Sequence, residues 1–316
     1  MPRKVTVSLT SFALGGGRSA ALNREQACRY VDQAAASGPD LVCLAENFLH
    51  SGLPGAEVPV VEPVGGPTLT ALAKRARKHG TYVCGSFCQE RPDGSRANTA
   101  FLLDRQGELV GQYDKVHPTI DEVIGRCMTP GGEAPVFATD FGRVGFAICY
   151  DIGWPDHWAA LARDGAELVV WPSAYDGGFP LQCYAWTHKY WVVTAVRTEH
   201  SKVIDPTGRV LASTSGWTKQ LPWTVDLERQ VCHVNYQEEK LARLLAERPH
   251  VRAEGFAEEG IFTLESEDPD WPVPRLMAHY GLESFDQYHR HATAIQDRAR
   301  GCKVAWPARS GVAPGE

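Results

Sequence analysis

The feature that most constrains the fold of this chain is a set of short segments that are apolar along their whole length. Leu41–Ala45, Val144–Tyr150 and Leu168–Trp171 are the clearest of them. A strand with one solvent-exposed face alternates apolar and polar residues. A strand that is apolar at every position must instead be covered on both faces. Helical segments lie between them. We therefore expect an α/β fold in which two sheets pack face to face and helices cover the outside.

Capping and turn residues predict where several elements begin and end. Asn23 and Gln26 have the spacing of a capping box, so Asn23 is predicted to cap a helix that ends at Gly38. Ser284–Gln287 repeats the capping pattern near the end of the chain. Asp104–Gly107 lies between two apolar runs and predicts a hairpin turn.

Composition excludes several classes of function. The chain has 316 residues, of which 43% are hydrophobic and 22% charged, and this suits a globular protein with a sizeable core. Its formal net charge of −6 argues against a nucleic-acid partner, which would need a basic surface. No apolar run approaches the length of a membrane span.

The cysteines and the start of the chain predict a cytoplasmic protein. The 9 cysteines are odd in number, are spread along the chain and form no Cys-x-x-Cys pair, so a disulfide framework is not expected. Residues 1–7 lack the apolar stretch of a secretory signal peptide. No group of histidines and cysteines has the spacing of a zinc site, and Gly15–Gly17 lacks the Lys-Ser/Thr of a phosphate loop.

The pattern changes near residue 235, which predicts a boundary between a domain at 1–235 and an extension at 236–316. The extension is expected to contain helices and an irregular acidic segment over 258–274. A single amphipathic helix cannot bury its own apolar face, so the extension should pack on the domain or on a neighbouring subunit. Residues 305–316 are expected to be disordered.

Chemically active side chains lie at the ends of predicted strands. Glu46, Lys115 and Cys149 each stand at or just beyond such an end. Strand ends of an open α/β sheet are where a rigid scaffold brings together side chains from distant parts of the chain. Cys149 is also followed within a few residues by a predicted helix, a turn that exposes a nucleophile next to backbone N–H groups. Their joint occurrence predicts one site.

These residues lie in segments that resemble the nitrilase superfamily of carbon–nitrogen hydrolases. The resemblance covers about residues 3–235 and keeps the family's order of segments. It implies a four-layer α-β-β-α sandwich whose members often form dimers. Five blocks carry it: Leu41-Val-Cys-Leu-Ala-Glu46, Tyr113-Asp-Lys-Val-His117, Gly142-Arg-Val-Gly-Phe-Ala-Ile-Cys-Tyr-Asp151 with Trp154-Pro155-Asp156, Pro172-Ser-Ala174, and Val203-Ile-Asp-Pro-Thr-Gly208.

The resemblance implies roles for the three residues. Cys149 would attack a carbonyl carbon and form a thioester, and Glu46 would take the thiol proton and return it to the departing amine. Lys115 and the backbone N–H after the cysteine would stabilise the oxyanion. A second Glu often follows the family's Lys; Glu122 is the preferred candidate and Glu133 the alternative.

The residues after the nucleophile indicate an amide as the substrate. Tyr150 and Asp151 resemble the amide-cleaving branches, whereas a Trp-Glu pair tends to mark nitrilases. Ile152 and Gly153 stand where enzymes acting on N-carbamoyl amino acids tend to carry arginine, which favours a substrate with a more apolar acyl part. Candidate pocket walls are Tyr150, Ile152, Trp154 and Tyr175.

The leading hypothesis is a cytoplasmic amidase that acts on a small amide without a cofactor or metal and forms a homodimer or a higher homo-oligomer. Two alternatives stay open. The same residues could serve a nitrilase or an N-carbamoyl amide hydrolase. Alternatively, the chain could be a catalytically silent scaffold that binds a partner through its extension.

Overall fold

The computed structural model describes residues 3–12, 19–53 and 60–301. The predictions for Gly15–Gly17 and for residues 305–316 fall outside these ranges. The chain forms two compact units. Of the described residues, the larger contains those between Val5 and Val225, and the smaller contains residues 3–4 and 226–301.

Two sheets form the centre of the larger unit. The first sheet contains β1 (Lys4–Thr10), β2 (Leu41–Cys43), β3 (Val61–Pro63), β4 (Tyr82–Glu90), β5 (Arg96–Leu103), β6 (Leu109–Asp114) and β13 (Gln220–Asp226). The second contains β7 (Val136–Ala138), β8 (Arg143–Phe146), β9 (Leu168–Ser173), β10 (Trp191–Val196), β11 (Lys202–Ile204) and β12 (Val210–Ser213). The first has the strand order β13-β1-β2-β4-β5-β6, with β3 beside β4, and the second has the order β12-β11-β10-β9-β8-β7.

Each sheet carries a pair of helices on its outer face. Helices α1 (Ala20–Ala34) and α2 (Pro67–His79) share a buried apolar cluster with the first sheet. Helices α3 (Pro155–Arg163) and α4 (Phe179–His188) share another with the second. These clusters explain why the strands are apolar at every position, since one set of side chains meets the helices and the other meets the opposite sheet.

The inner faces of the two sheets pack against each other. The ring of Tyr82 on β4 lies 5.2 Å from that of Phe141, in the β7–β8 connection. Gly111 on β6 is so close to Phe137 on β7 that any Cβ there would overlap the ring. The expected four-layer α-β-β-α sandwich is confirmed.

Parallel pairing brings functional segments to one edge in each sheet. Strands β1, β2 and β4 run parallel, as do β8, β9 and β10. Their carboxyl ends therefore lie together within each sheet. Glu46 follows β2 by three residues, and Cys149 follows β8 by three.

The predicted cap of the first helix is wrong. Ser19 caps α1, accepting a hydrogen bond from the Leu22 amide at 3.3 Å. Asn23 lies inside the helix and is buried; its amide donates to the carbonyls of Leu49 at 2.9 Å and Ser51 at 2.8 Å. A tertiary partner for the side chain outweighed the local capping pattern. The hairpin turn at Asp104–Gly107 is confirmed, since it joins antiparallel β5 and β6.

The smaller unit is a three-stranded antiparallel sheet with helices. Its order is β14-β16-β15, formed by β14 (Gln230–His233), β15 (Val251–Phe256) and β16 (Ile261–Ser266). The prediction that residues 258–274 form an irregular segment is therefore wrong. Strand β16 pairs with β14 on one side and β15 on the other, and it buries Ile261, Phe262 and Leu264.

Three helices complete this unit: α5 (Glu238–Glu247), α6 (Val273–Tyr280) and α7 (Phe285–Arg300). The predicted capping box at the start of α7 is confirmed. The Ser284 hydroxyl accepts a hydrogen bond from the Gln287 backbone amide, and the Gln287 side chain accepts one from the Ser284 backbone amide. Within the described ranges, none of the helices combines the length and apolarity that crossing a bilayer requires.

Candidate active site

Glu46 lies on a sharp turn directly after the second strand. Asn47, the next residue, has a left-handed backbone with φ of 47°, which turns the chain at the carboxylate. Glu46 is 3% exposed. Its Oε1 accepts two hydrogen bonds, whereas its buried Oε2 has no partner among the described residues. One carboxylate oxygen is therefore fixed and the other is available as a base.

Lys115 connects two carboxylates inside the protein. It follows β6 directly and is 1% exposed. Its Nζ donates to Glu46 Oε1 at 3.0 Å and to Glu122 Oε2 at 2.7 Å. Burial alone would lower the pKa of Lys115, but the neighbouring charges of Glu46 and Glu122 raise it well above its ordinary value. The side chain is therefore a permanent ammonium in this site.

Glu122 is the acidic residue that contacts this lysine. Its Oε2 also accepts from the Thr119 amide at 2.7 Å. Burial acts to raise the pKa of Glu122, but the ammonium of Lys115 and the hydrogen bonds lower it overall. Glu133, the alternative from the sequence, is exposed on the surface.

Asn98 is a member of the cluster that sequence reasoning missed. It lies on β5, is 2% exposed, and its Nδ2 donates to Glu46 Oε1 at 2.8 Å and to Glu122 Oε1 at 3.0 Å. The available signal was a polar residue two positions before the apolar run at 100–103. Buried polar groups of this kind almost always have a specific partner.

Cys149 lies on the turn that follows β8. Its backbone φ is 45°, which is uncommon for a side chain with a Cβ and is typical of sharp strand-to-helix turns at functional sites. The residue is 8% exposed. Burial, and then the charge of Glu46, raise the pKa of the thiol to about 12, while Lys115 and hydrogen bonds from Ala174 and Ser173 act in the opposite direction. The side chain of Cys149 is therefore a neutral thiol at rest, under the electrostatic influence of Glu46 and Lys115.

Comparison with known proteins identifies the family. A model of the carbon–nitrogen hydrolase family matches residues 18–233, more than half of the chain. The chain belongs to the carbon–nitrogen hydrolase family. The expected assignment to the nitrilase superfamily, and with it the assignment as an enzyme that hydrolyses carbon–nitrogen bonds, is confirmed.

Individual relatives of this hydrolase lie on the amidase side of the family. The omega-amidase NIT2 of Xenopus tropicalis is 27% identical over 250 residues, which cover 71% of this chain and 90% of that protein. The human deaminated glutathione amidase is 30% identical over 232 residues, covering 61% of this chain and 68% of that protein. The crystal structure of Saccharomyces cerevisiae Nit3, a nitrilase-superfamily member, has a TM-score of 0.63 at 22% identity, covers 71% of this chain and 90% of its own, and confirms the fold.

A second buried network supports the turn of the hydrolase that carries Cys149. Asp151 is fully buried; its Oδ2 accepts from the Ile148 amide and the Tyr113 hydroxyl, each at 2.7 Å. Its Oδ1 accepts from the His117 amide at 2.9 Å and from the His117 ring at 3.0 Å. These bonds connect the Cys149 turn to the segment that carries Lys115.

Among the described residues, this network also contains the one group with ligand atoms close enough to hold a metal ion. The atoms of His117, Asp151 and His157 lie within 4.8 Å of one another. Both Asp151 oxygens already accept two hydrogen bonds, and His157 Nε2 donates to the Phe146 carbonyl at 2.9 Å. We therefore interpret the group as a structural hydrogen-bond network.

The residues predicted to line a pocket fall into two environments. Tyr150 is 42% exposed and meets Trp154 edge to face, while Trp154 stacks on the ring of His117 at 4.2 Å. Tyr175, 41% exposed, lies 5.5 Å from Trp171. Ile152 instead packs against the apolar cluster of α3 and α4. Three of the four therefore present aromatic surface that a ligand can reach.

Proposed function

We propose that this hydrolase cleaves a small amide to a carboxylate and ammonia or an amine through a thioester on Cys149. The observation that carries the proposal is the buried ammonium of Lys115 between the carboxylates of Glu46 and Glu122, with the thiol close enough for its pKa to respond to both Lys115 and Glu46. A buried lysine and two buried acids would be costly as a purely structural feature.

In the first half of the reaction, sulfur attacks the amide carbonyl carbon while the thiol proton moves to Glu46. Because the thiol has a pKa of about 12, a preformed thiolate is scarce at neutral pH and the transfer accompanies the attack. The free Oε2 of Glu46 is the acceptor. The carbon–nitrogen bond of the tetrahedral intermediate then breaks as Glu46 returns the proton to nitrogen.

Lys115 stabilises the oxyanion of that intermediate together with the backbone N–H of Tyr150. The ammonium is held in place before the substrate arrives, so little reorganisation is needed as the charge develops. Each such donor contributes on the order of 3 kcal/mol to the transition state. Glu122 fixes the position of the ammonium through its 2.7 Å contact.

In the second half of the reaction, water attacks the thioester carbon. Glu46 takes a proton from the water and the sulfur leaves, recovering its proton as the acid is released. Each proton in this scheme comes from the thiol or from the attacking water and passes through Glu46, so the scheme requires no cofactor. Tyr150, Trp154 and Tyr175 are the proposed walls around the acyl group, and Ile152 is assigned to the core beneath them.

Two observations favour an amide over a nitrile or a carbamoyl group. Both sequence relatives described above carry amidase names. Tyr150 and Asp151 follow the nucleophile, and no arginine stands at Ile152 or Gly153 to clamp a carboxylate there.

The test is incubation with a matched panel of small amides, nitriles and N-carbamoyl amino acids. We expect ammonia or amine release from the amides alone and, by mass spectrometry of quenched reactions, an acyl adduct on the Cys149 peptide. The C149A variant is the matched control. Turnover of nitriles alone would contradict the substrate class, and adduct-free turnover would contradict the mechanism.

We also propose that residues 1–235 form the hydrolase domain and 236–316 an extension, in a cytoplasmic homo-oligomer. All eight described cysteines are free, which suits a reducing compartment.

Helix α7 has no buried residue, and Ile295 on it is 54% exposed, which leaves a face for a second copy. Light scattering on the full chain tests the assembly, with I295E as the variant expected to weaken it; a monomeric wild type contradicts it.

A further inference from the structure

We propose that Asn98 is a positioning residue for the reaction: its single amide group holds Glu46 and Glu122 in register and leaves the second oxygen of Glu46 free for the thiol proton. The inference rests on the proposed function and adds a residue to it. Asn98 would not touch substrate, so its effect would pass through the two carboxylates.

The geometry places one NH2 group between two acids. Nδ2 of Asn98 lies 2.8 Å from Glu46 Oε1 and 3.0 Å from Glu122 Oε1. The same Glu46 oxygen accepts from Lys115 at 3.0 Å, so two donors are directed at one carboxylate oxygen and none of the described residues at the other. This asymmetry selects which oxygen acts as the base.

The orientation of the amide follows from the charges around it. Its Oδ1 is buried and has no hydrogen-bond partner among the described residues. The opposite orientation would place this oxygen against two carboxylates, which is repulsive, whereas the observed one gives both hydrogens a charged acceptor. An aspartate of the same shape could not make these contacts as an ionised group, and a leucine could make none.

The backbone of Asn98 is also held, by β4 on one side and by the residue that follows β6 on the other. Its carbonyl accepts from the Lys115 amide at 2.9 Å, and it stands opposite Cys88 in the β4–β5 pair. Asn98 therefore has a fixed main chain as well as a fixed side chain. A side chain held in this way can position the carboxylates without moving with them.

Several charged or titratable groups face the carboxylate pair and set its response to pH. Lys115 contacts both acids, and Cys149 interacts electrostatically with Glu46 and Lys115. Cys88 is a third such group, and its thiol pKa is raised to about 12 by burial and by the charges of Glu122 and Glu46. The charge of Arg126 has the opposite effect and lowers the pKa of Cys88. Asn98 is the neutral donor in this set, so its removal takes away stabilisation of the ionised acids without changing the net charge.

The experiment measures the rate at which iodoacetamide alkylates Cys149 between pH 4 and pH 9. It compares the wild type with N98L and with T99V, a control at the next position of the same strand. Sulfur forms a bond to the CH2 carbon, iodide leaves and the thiol proton goes to Glu46. Peptide mass spectrometry separates Cys149 from the other cysteines. We expect N98L to slow the reaction roughly tenfold to a hundredfold, because Glu46 is misplaced. Its acid limb should move to higher pH, because the lost hydrogen bond helps to lower the pKa of Glu122 beside it.

Thr99 is a suitable control because it is equally buried on the same strand but bonds to Asp114 at 2.6 Å. T99V should keep the wild-type profile. A uniform loss at all pH values in folded N98L, or no loss, overturns the proposal, since a structural role would not move the acid limb. If N98L does not fold, N98S, which keeps one donor, should show the same shift at smaller size. Wild-type Cys149 that alkylates no faster than the buried thiols would instead overturn the proposed function.

Discussion

The ammonium of Lys115 lies 3.0 Å from the Glu46 carboxylate although 69 residues separate them in the chain. Both side chains are almost fully buried. An ion pair in this environment is weakly screened and strongly dependent on geometry. Its position is therefore set by the first sheet, since Glu46 follows β2 and Lys115 follows β6.

Replacing the nucleophile should abolish turnover while leaving the fold intact. Cys149 is a small, buried side chain, so C149A removes the sulfur with little loss of packing. We expect a fall in amide hydrolysis of at least about a thousandfold, because no other group on the turn can form the thioester. Ammonia release measures activity and circular dichroism measures folding. A folded C149A variant with substantial activity would refute the mechanism.

Glu46 should be required for both halves of the reaction. E46Q keeps the shape of the side chain but cannot accept the thiol proton. Turnover should fall roughly 10²–10⁴-fold, the usual contribution of a general base. E108Q serves as the control, since Glu108 is an exposed acid paired with Arg77 at the surface. Equal activity of E46Q and wild type would assign the base to another residue.

Removing the buried ammonium should destabilise the protein far more than removing a surface cation. K115M leaves Glu46 and Glu122 buried without their cation, which should cost about 3–5 kcal/mol in the free energy of unfolding. R77A breaks an exposed pair, whose partners are 64% and 74% exposed, and should cost less than about 1 kcal/mol. Urea denaturation measures both. Similar values for the two variants would mean that the site is hydrated and weakly coupled.

Asp151 should contribute stability that is lost in acid. Burial acts to raise the pKa of Asp151, but hydrogen bonds from His117 and neighbouring groups lower it below 3.8, its ordinary value. A carboxyl group whose pKa is lower in the folded state stabilises the fold at pH values above its unfolded-state pKa. This contribution to stability is lost as the pH falls through the folded-state pKa. D151N should therefore cost about 3 kcal/mol at pH 7 and progressively less below about pH 4. Unfolding midpoints across this range provide the check; a constant difference would contradict the expectation.

The contact between Gly111 and Phe137 should be a sensitive point between the two sheets. G111A places a methyl group against the ring, and overpacking of this kind costs roughly 1–3 kcal/mol. F137L in the same chain should relieve part of that cost, so the double variant should be more stable than the sum of the single ones. Thermal denaturation of the wild type, the two single variants and the double variant completes a double-mutant cycle. Strict additivity would mean that the two residues are not in contact.

Local patterns were enough to predict much of the fold and part of the site. Fully apolar strands predicted the two covered sheets, and the capping box at Ser284 predicted the start of α7. Patterns failed where a distant partner decided the outcome. Asn23 binds carbonyls 26 and 28 residues away instead of capping its helix, and 261–266 forms a strand because two neighbours pair with it.

The sequence alone determined the residue types of the site and their places at strand ends. It specified a thiol, a lysine and acids in an order typical of the nitrilase superfamily, because side-chain chemistry and strand periodicity are local properties. Only the tertiary structure decided that Glu122 and not Glu133 contacts Lys115, that Asn98 joins the two acids, and that burial raises the pKa of the Cys149 thiol. Those outcomes depend on distances and burial between residues far apart in the chain, which no local pattern encodes.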